Sequence, residues 1–335
     1  MAANGRPSRS LESFANTPRE IPIDEEFSIY NETLQSDTTS LTSSILHYEY
    51  ENGRRYHRYG QAQYLMPNDE AEQDRLDLVH HMFLVMLHGE LFISPIKNPQ
   101  TILDLGTGTG IWAIDVADHF PSAKVIGNDL SPIQPSWVPP NVEFVIDDFE
   151  NEWMHRRNFF DFVHARTISG CVRNWGRLME QAYDHLKPGG YLECAEFAID
   201  AYSDDGSFKQ DSPYREYIDN INKAGEITGR PMNVAPLLQT WMNNAGFEDV
   251  TERVYVLPYG PWPKDPKLKE IGRWQYVQAP EGVEAYGLRL YTQVLGWPES
   301  EAKLHQALVK QQLRNKALHI YGKMYVVYGR KPGVE

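Results

Sequence analysis

Between Thr101 and Ile199 short apolar runs alternate with stretches of helical period. "TILDLG" reads as a strand and "GIWAIDVADHF" as a helix. "KVIGNDL", "VEFVIDDF" and "FDFVHA" read as strands. "WGRLMEQAYDHLKPGG" reads as a helix stopped by Lys-Pro-Gly-Gly, and "YLECAEFAI" as a fifth strand. Strands spaced by helices of this length are joined by right-handed crossovers. Such crossovers build a parallel sheet covered by helices on both faces.

After Ile199 the rhythm changes. "SPYREYIDNINKAGEITG" and "VAPLLQTWMNNAGF" read as helices, and "VTERVYVLPYG" as a strand. A Pro-rich break leads into a helical stretch from Lys267 to about Ile320, and "KMYVVYGRKP" is the last strand. The expected architecture is α/β and Rossmann-like: a mostly parallel seven-stranded sheet, helices on both faces and a helical lid. Residues 1–40 are polar and without periodicity, as in a disordered segment. Residues 41–98 read as an N-terminal helical cover, in which Asp69 can cap a helix and Glu72 can answer it. Leu76, Val79, Phe83, Met86 and Leu87 then share one face. Residues 99–260 and 321–333 form the core, and 261–320 the lid insertion.

Composition removes several function classes. The net charge of −14 over 335 residues argues against nucleic-acid binding. The one basic stretch, "GRRYHRYG", reads as a solvated or ligand-covering segment. No apolar run suits a membrane span or a secretory signal. Two cysteines are too few for a disulfide scaffold or a Cys-rich zinc site. A reducing compartment fits, either the cytoplasm or the nucleus. His80, His81 and His88 lack the spacing and partners of a metal site, so no metal is expected.

The stretch "ILDLGTGTGIWAIDVA" is a strand, a glycine-rich turn and a helix start. Dinucleotide folds use G-x-G-x-x-G at this place. Here Gly106, Gly108 and Gly110 give G-x-G-x-G, and Ile111 stands where the third fingerprint glycine belongs. Asp104 precedes the loop, and a carboxylate suits a cationic ligand better than a pyrophosphate. These departures disfavour a nicotinamide-dependent dehydrogenase and point to S-adenosylmethionine, which carries a sulfonium and an amine and no phosphate. Asp129 ends the second strand, followed by Leu130, and can accept the ribose hydroxyls. Asp148 ends the third strand and can accept the adenine amino group, with Phe149 against the base. Asp147 is the alternative to Asp148.

With these residues in place the chain resembles class I S-adenosylmethionine-dependent methyltransferases, and more narrowly the fungal LaeA-like family of secondary metabolism. The narrower likeness covers most of the chain from Tyr48. It rests on "YENGRRYHRYGQAQYLMPNDEAEQDRLDLVHH", "LDLGTGTGIWAIDVAD", "GNDLSPIQPSWVPPNVEFVIDDFE", "FDFVHARTISG", "LKPGGYLECAEF", "EAYGLRLYTQVLGW" and "YVVYGRKP". The resemblance implies a cofactor site of Asp104, Gly106, Gly108, Gly110, Asp129 and Asp148. It also implies that the segment around Tyr50 to Tyr64 folds over the cofactor. Some relatives methylate small natural products. Others regulate biosynthetic clusters and work with protein partners.

The segment after the fourth strand, "HARTISGCVRNW", should face the transferable methyl. Arg166 is expected at the junction of cofactor and acceptor, orienting one or the other, with a structural ion pair as the alternative. His164 lies two residues earlier on the same strand face. It and His57 are candidate bases. Tyr59 and Tyr64 are candidate cofactor covers. Glu196 is placed as either substrate-facing or structural. The lid is rich in Trp, Tyr and Leu, and Trp274, Tyr276 or Tyr286 should line a pocket for an aromatic or hydrophobic small-molecule acceptor.

Overall fold

The computed structural model describes residues 48–57 and 65–333, and for His57 the backbone alone. The segment at 1–40, Tyr59 and Tyr64 lie outside those residues. A hairpin of β1 (Tyr48–Glu51) and β2 (Arg54–His57) leads into α1 (Glu70–Met86). The alternating half follows: β3 (Thr101–Leu105), α2 (Ile111–His119), β4 (Lys124–Asp129), β5 (Val142–Ile146), β6 (Phe160–Arg166), α3 (Trp175–His185) and β7 (Leu186–Phe197). The remainder is α4 (Pro213–Thr228), α5 (Leu238–Asn244), β8 (Glu248–Pro258), α6 (Pro266–Arg289), α7 (Glu299–Leu313) and β9 (Tyr321–Arg330).

Seven strands form one sheet in the order β5-β4-β3-β6-β7-β9-β8. The first five are parallel, and β9 is antiparallel to both neighbours. Adjacent residues on β3 serve opposite faces. Ile102 packs with Trp112 and Val116 of α2, whereas Leu103 packs with Leu178 and Met179 of α3. The chain runs outward from β3 through β4 to β5, then returns to β6 on the other side. That reversal opens a crevice beyond the carboxyl ends of β3 and β6, where sheets of this type take their ligands.

Three local readings need correcting. Residues 48–57 form a hairpin and not a helix. Asn52 and Gly53 both have positive φ (53° and 83°), the conformation of a type I′ turn. Its two arginines are neutralised against the start of α1: Arg54 bonds Asp69 at 2.6 and 2.9 Å, and Arg55 bonds Glu70 at 2.7 Å. Second, α3 stops just ahead of Lys-Pro-Gly-Gly as read, at His185, but the next strand starts before Tyr191. Those residues instead make an irregular start to β7, whose pairing with β6 jumps from Leu186 to Tyr191. Third, the lid is wider than residues 261–320, because α4 shares one apolar cluster with α6 and α7 through Tyr217, Ile221, Val283 and Val309. No helix among the described residues is long and apolar enough to cross a membrane.

Candidate active site

The loop after β3 is built for close approach. Gly106 has φ +65°, and a Cβ on it would meet Ile168 Cγ2 at 2.7 Å. Gly108 donates its N–H to Asp129 Oδ2 at 2.8 Å, which ties the loop to the end of β4. Gly110 does something different from what its motif position suggests. It is the N-cap of α2 at φ 81°, and a Cβ there would run into the Phe144 ring. Its smallness serves the sheet side, and it does not line the crevice with Gly106 and Gly108.

Gly106, Gly108, Asp129, Leu130, Asp148 and Phe149 together line a cavity of ≈ 700 Å³. Asp129 also accepts the Ser131 N–H at 2.8 Å, and burial pushes its carboxyl up to about 6 despite backbone donors from Ser131, Gly108 and Leu130. Of the two adjacent aspartates, Asp148 reaches the cavity. Asp147 accepts the Asp148 N–H at 2.9 Å and lies outside it.

At the other side of the crevice, His164 and Arg166 project from β6 in the same direction but meet different partners. His164 is 2% exposed, stacks on Trp112 with centroids 3.6 Å apart, and donates Nδ1–H to Asp104 Oδ1 at 2.8 Å. Burial lowers its pKa, partly countered by Asp104. A ring held below the floor cannot reach an acceptor, so His164 positions Asp104 and is not a base. The second oxygen of Asp104 accepts the Thr107 hydroxyl at 2.6 Å.

Arg166 lines the crevice with Asp104, Gly106 and Thr107. Its guanidinium lies 4.5 Å over the Phe83 ring and donates to His80 Nδ1 at 3.2 Å. An accepting Nδ1 places the His80 proton on Nε2, which meets Asp115 at 2.9 Å. Among the described residues Arg166 has no carboxylate in ion-pair contact. Burial lowers its pKa to about 10, with Asp104 and Asp115 acting against the fall. A structural ion pair is therefore not its role. A partly buried guanidinium that lines the crevice with no carboxylate in contact fits a ligand that brings one. S-adenosylmethionine carries one on its amino-acid end.

The segment after β6 is held from below. Thr167 has φ +55°, and such strain in a non-glycine residue persists where the surroundings enforce it. Here Glu196 does so. It accepts the Ile168 N–H at 2.7 Å and the Ser169 hydroxyl at 2.6 Å, and burial pushes its pKa up to about 7. Glu196 is thus structural. The three histidines of α1's run point to separate neighbours: His80 to Arg166, His81 to the edge of Trp274 at 4.4 Å, and His88 to Lys267. In β2 the His57 backbone pairs with Tyr48, and the neighbouring Tyr56 bridges to Pro67.

Under the lid lies a second cavity of ≈ 710 Å³, and Tyr286 belongs to the walls of both it and the cofactor crevice. Trp274 and Tyr276 are absent from its walls; Trp274 packs into the apolar cluster of α1. Sequence reasoning missed Arg75, Gln275, Gln278, Tyr214, Tyr217 and Tyr259, all of which line it. The Tyr214, Tyr217, Ile218, Ile221 stripe at helical spacing was a readable signal for α4.

Fold and site together define a class I S-adenosylmethionine-dependent methyltransferase. Residues 78–252 match the family described as "Methyltransferase domain". The chain is 43% identical over 326 residues to the methyltransferase pytC of Aspergillus terreus, covering 96% of this chain and 99% of that one. It is 36% identical over 290 residues to the secondary metabolism regulator LAE1 of Cochliobolus heterostrophus, covering 84% and 94%. It is 37% identical over 286 residues to the secondary metabolism regulator laeA of Aspergillus fumigatus, covering 84% and 76%. The chain belongs to this LaeA-like family of methyltransferases, and S-adenosylmethionine is its cofactor.

Proposed function

We propose that the protein methylates a small natural-product acceptor, at oxygen or nitrogen, in fungal secondary metabolism. The observation that carries this reading is the second, aromatic-lined cavity that shares Tyr286 with the cofactor crevice. S-adenosylmethionine supplies an electrophilic methyl on a positive sulfur. In this reading Arg166 takes the methionine carboxylate and Asp104 faces the amine end. Asp129 with Leu130 takes the ribose, and Asp148 with Phe149 the adenine. Gly106 and Gly108 let the backbone close on the ligand. The lid excludes water, and holding two reactants in line lowers the barrier by several kcal/mol.

A second reading has the protein regulate biosynthetic clusters through a protein partner, in the cytoplasm or the nucleus. The identity to LAE1 and laeA, both named secondary metabolism regulators, favours it. One experiment separates the two. Protein and labelled S-adenosylmethionine are incubated with a metabolite extract and with a protein extract of the host. Label on a small molecule supports the first reading; label confined to protein supports the second. For the cofactor, S-adenosylhomocysteine should raise the thermal midpoint and NAD should not.

A further inference from the structure

We infer that the cavity under the lid takes an uncharged, flat ring system with few polar groups, such as a phenol or an enolised ring ketone. This inference rests on the small-molecule methyltransferase reading and narrows its acceptor.

Charge balance in the walls carries the first half. Two charged side chains line the cavity, Arg75 and Asp200, and each is already answered. Arg75 bonds both oxygens of Glu72, at 2.8 and 2.7 Å, and gives a third N–H to Gln278 Oε1 at 3.1 Å. Asp200 bonds Arg215 at 2.6 Å. An anionic or cationic ligand would leave water here and find no free counter-charge, and an uncompensated buried charge is strongly unfavourable. The contrast with Arg166, across Tyr286 in the crevice, is direct: there the guanidinium lacks an anion, and here it has one.

The aromatic walls carry the second half. Tyr214 and Tyr217 stack with centroids 6.2 Å apart and planes at 17°, and Tyr259 leans on Tyr214 at 5.6 Å. Their hydroxyls are largely engaged within the wall. Tyr217 donates to the Val283 carbonyl at 3.0 Å, and Tyr259 bonds both Tyr214 and Gln275. Gln278 in turn donates to Gln275 Oε1 at 2.6 Å. Burial pushes the tyrosine hydroxyls up, that of Tyr286 to about 12, so they stay neutral. Ring faces are therefore abundant and free hydrogen-bonding groups are few. That lining suits a ring with few oxygens and does not suit a sugar, a peptide or a phosphate ester.

The test is titration calorimetry of the full chain, with and without S-adenosylhomocysteine, using 2-naphthol, its anionic analogue 2-naphthoate and its cationic analogue 2-naphthylmethylammonium as probes. Naphthol should bind, with both charged analogues at least tenfold weaker. Gly282→Phe should fill the cavity: Gly282 lines it, and a Cβ there would approach nothing closer than 3.8 Å. It should weaken naphthol at least tenfold and leave S-adenosylhomocysteine within twofold. If Gly282→Phe does not fold, Ala279→Met makes the same test. Tighter binding of naphthoate, no binding of naphthol, or naphthol binding indifferent to the plug would overturn the inference. Loss of S-adenosylhomocysteine binding in the unmodified protein would instead overturn the methyltransferase reading.

Discussion

The cofactor crevice and the cavity under the lid adjoin at Tyr286, yet they are built on opposite principles. The crevice is made of backbone and charge. Strand ends deliver Asp104, Asp129 and Arg166, a glycine turn tied to Asp129 brings the backbone close, and at least one charge is left for a ligand to answer. The cavity is made of side chains and neutrality. Helices α4 and α6 deliver aromatic rings, and Arg75 is closed off by Glu72. A crevice of the first kind binds one charged molecule by its shape and ends. A cavity of the second kind selects by ring and size, and a change in any one wall residue can alter its ligand.

The sharpest way to break this comparison is Gly106→Val. A branched side chain would have to adopt φ +65° and displace Ile168. We expect S-adenosylhomocysteine affinity to fall by about a hundredfold or more, and stability to fall by roughly 1–3 kcal/mol for the strained conformation. Binding of 2-naphthol should persist. If thermal melts and calorimetry show both ligands lost together, the two regions are not separate sites.

Arg166→Met comes next. A charged hydrogen bond contributes about 1.5–3 kcal/mol, so S-adenosylhomocysteine should bind roughly 10–150-fold more weakly. 5′-Methylthioadenosine, which lacks the amino-acid end, should bind the variant and the parent alike. An equal loss for both ligands would remove Arg166 from the carboxylate. His80→Phe should act more gently, about threefold to tenfold on the same ligand, because it keeps the guanidinium and removes the bond that orients it, together with the His80–Asp115 contact. Here too 5′-methylthioadenosine should be unaffected, and a loss with both would point to a general disturbance of α1.

The same contrast explains what could be read in the chain beforehand. The crevice is written in contiguous residues, because a strand, its turn and the next helix start must be neighbours in sequence. Asp104, Gly106, Asp129, Leu130, Asp148 and Arg166 could therefore be placed from their positions at strand ends. Gly110 shares the motif, but its reason is the Phe144 ring on β5, which only the packed sheet reveals. His164 and Arg166 look equivalent by alternation; one step along the strand decides which is roofed by Trp112 and which reaches the crevice. The lid cavity collects Arg75, Phe197, Tyr214, Tyr259 and Tyr286 from five distant segments, and no local pattern links them. The hairpin is legible in the chain: Asn52-Gly53 after the Tyr-Glu-Tyr-Glu alternation is a strong turn signal.

The smallest effect concerns the floor shared by both regions. Glu193 and Glu196 on β7 are buried, and burial pushes each up to about 7. Glu196 holds the segment beside Arg166, while Glu193 accepts the Ser94 hydroxyl at 2.5 Å and the Ser94 N–H at 2.7 Å. A carboxyl whose pKa is raised on folding binds more protons folded than unfolded. Its stabilisation is complete below the unfolded value near 4.5 and is lost as pH rises through about 7. Asp161 and Asp69 are shifted downward, so their contribution changes at more acidic pH, whereas Asp129, pushed up to about 6, adds to the decline, and His164, His155 and His305, lowered by burial, oppose it up to about pH 6.5. The thermal midpoint should therefore decline from pH 5 to pH 8. The net charge of −14 adds self-repulsion over the same range, so the slope alone is ambiguous. Glu193→Gln separates the two, because it removes one titrating group and alters the total charge by a single unit. It should flatten part of the decline and leave S-adenosylhomocysteine affinity within twofold, since Glu193 is outside the crevice. Glu196→Gln should flatten the decline similarly but weaken S-adenosylhomocysteine severalfold, through the Thr167 segment. Matching effects of the two variants on ligand binding would mean that Glu196 supports the sheet and not the site.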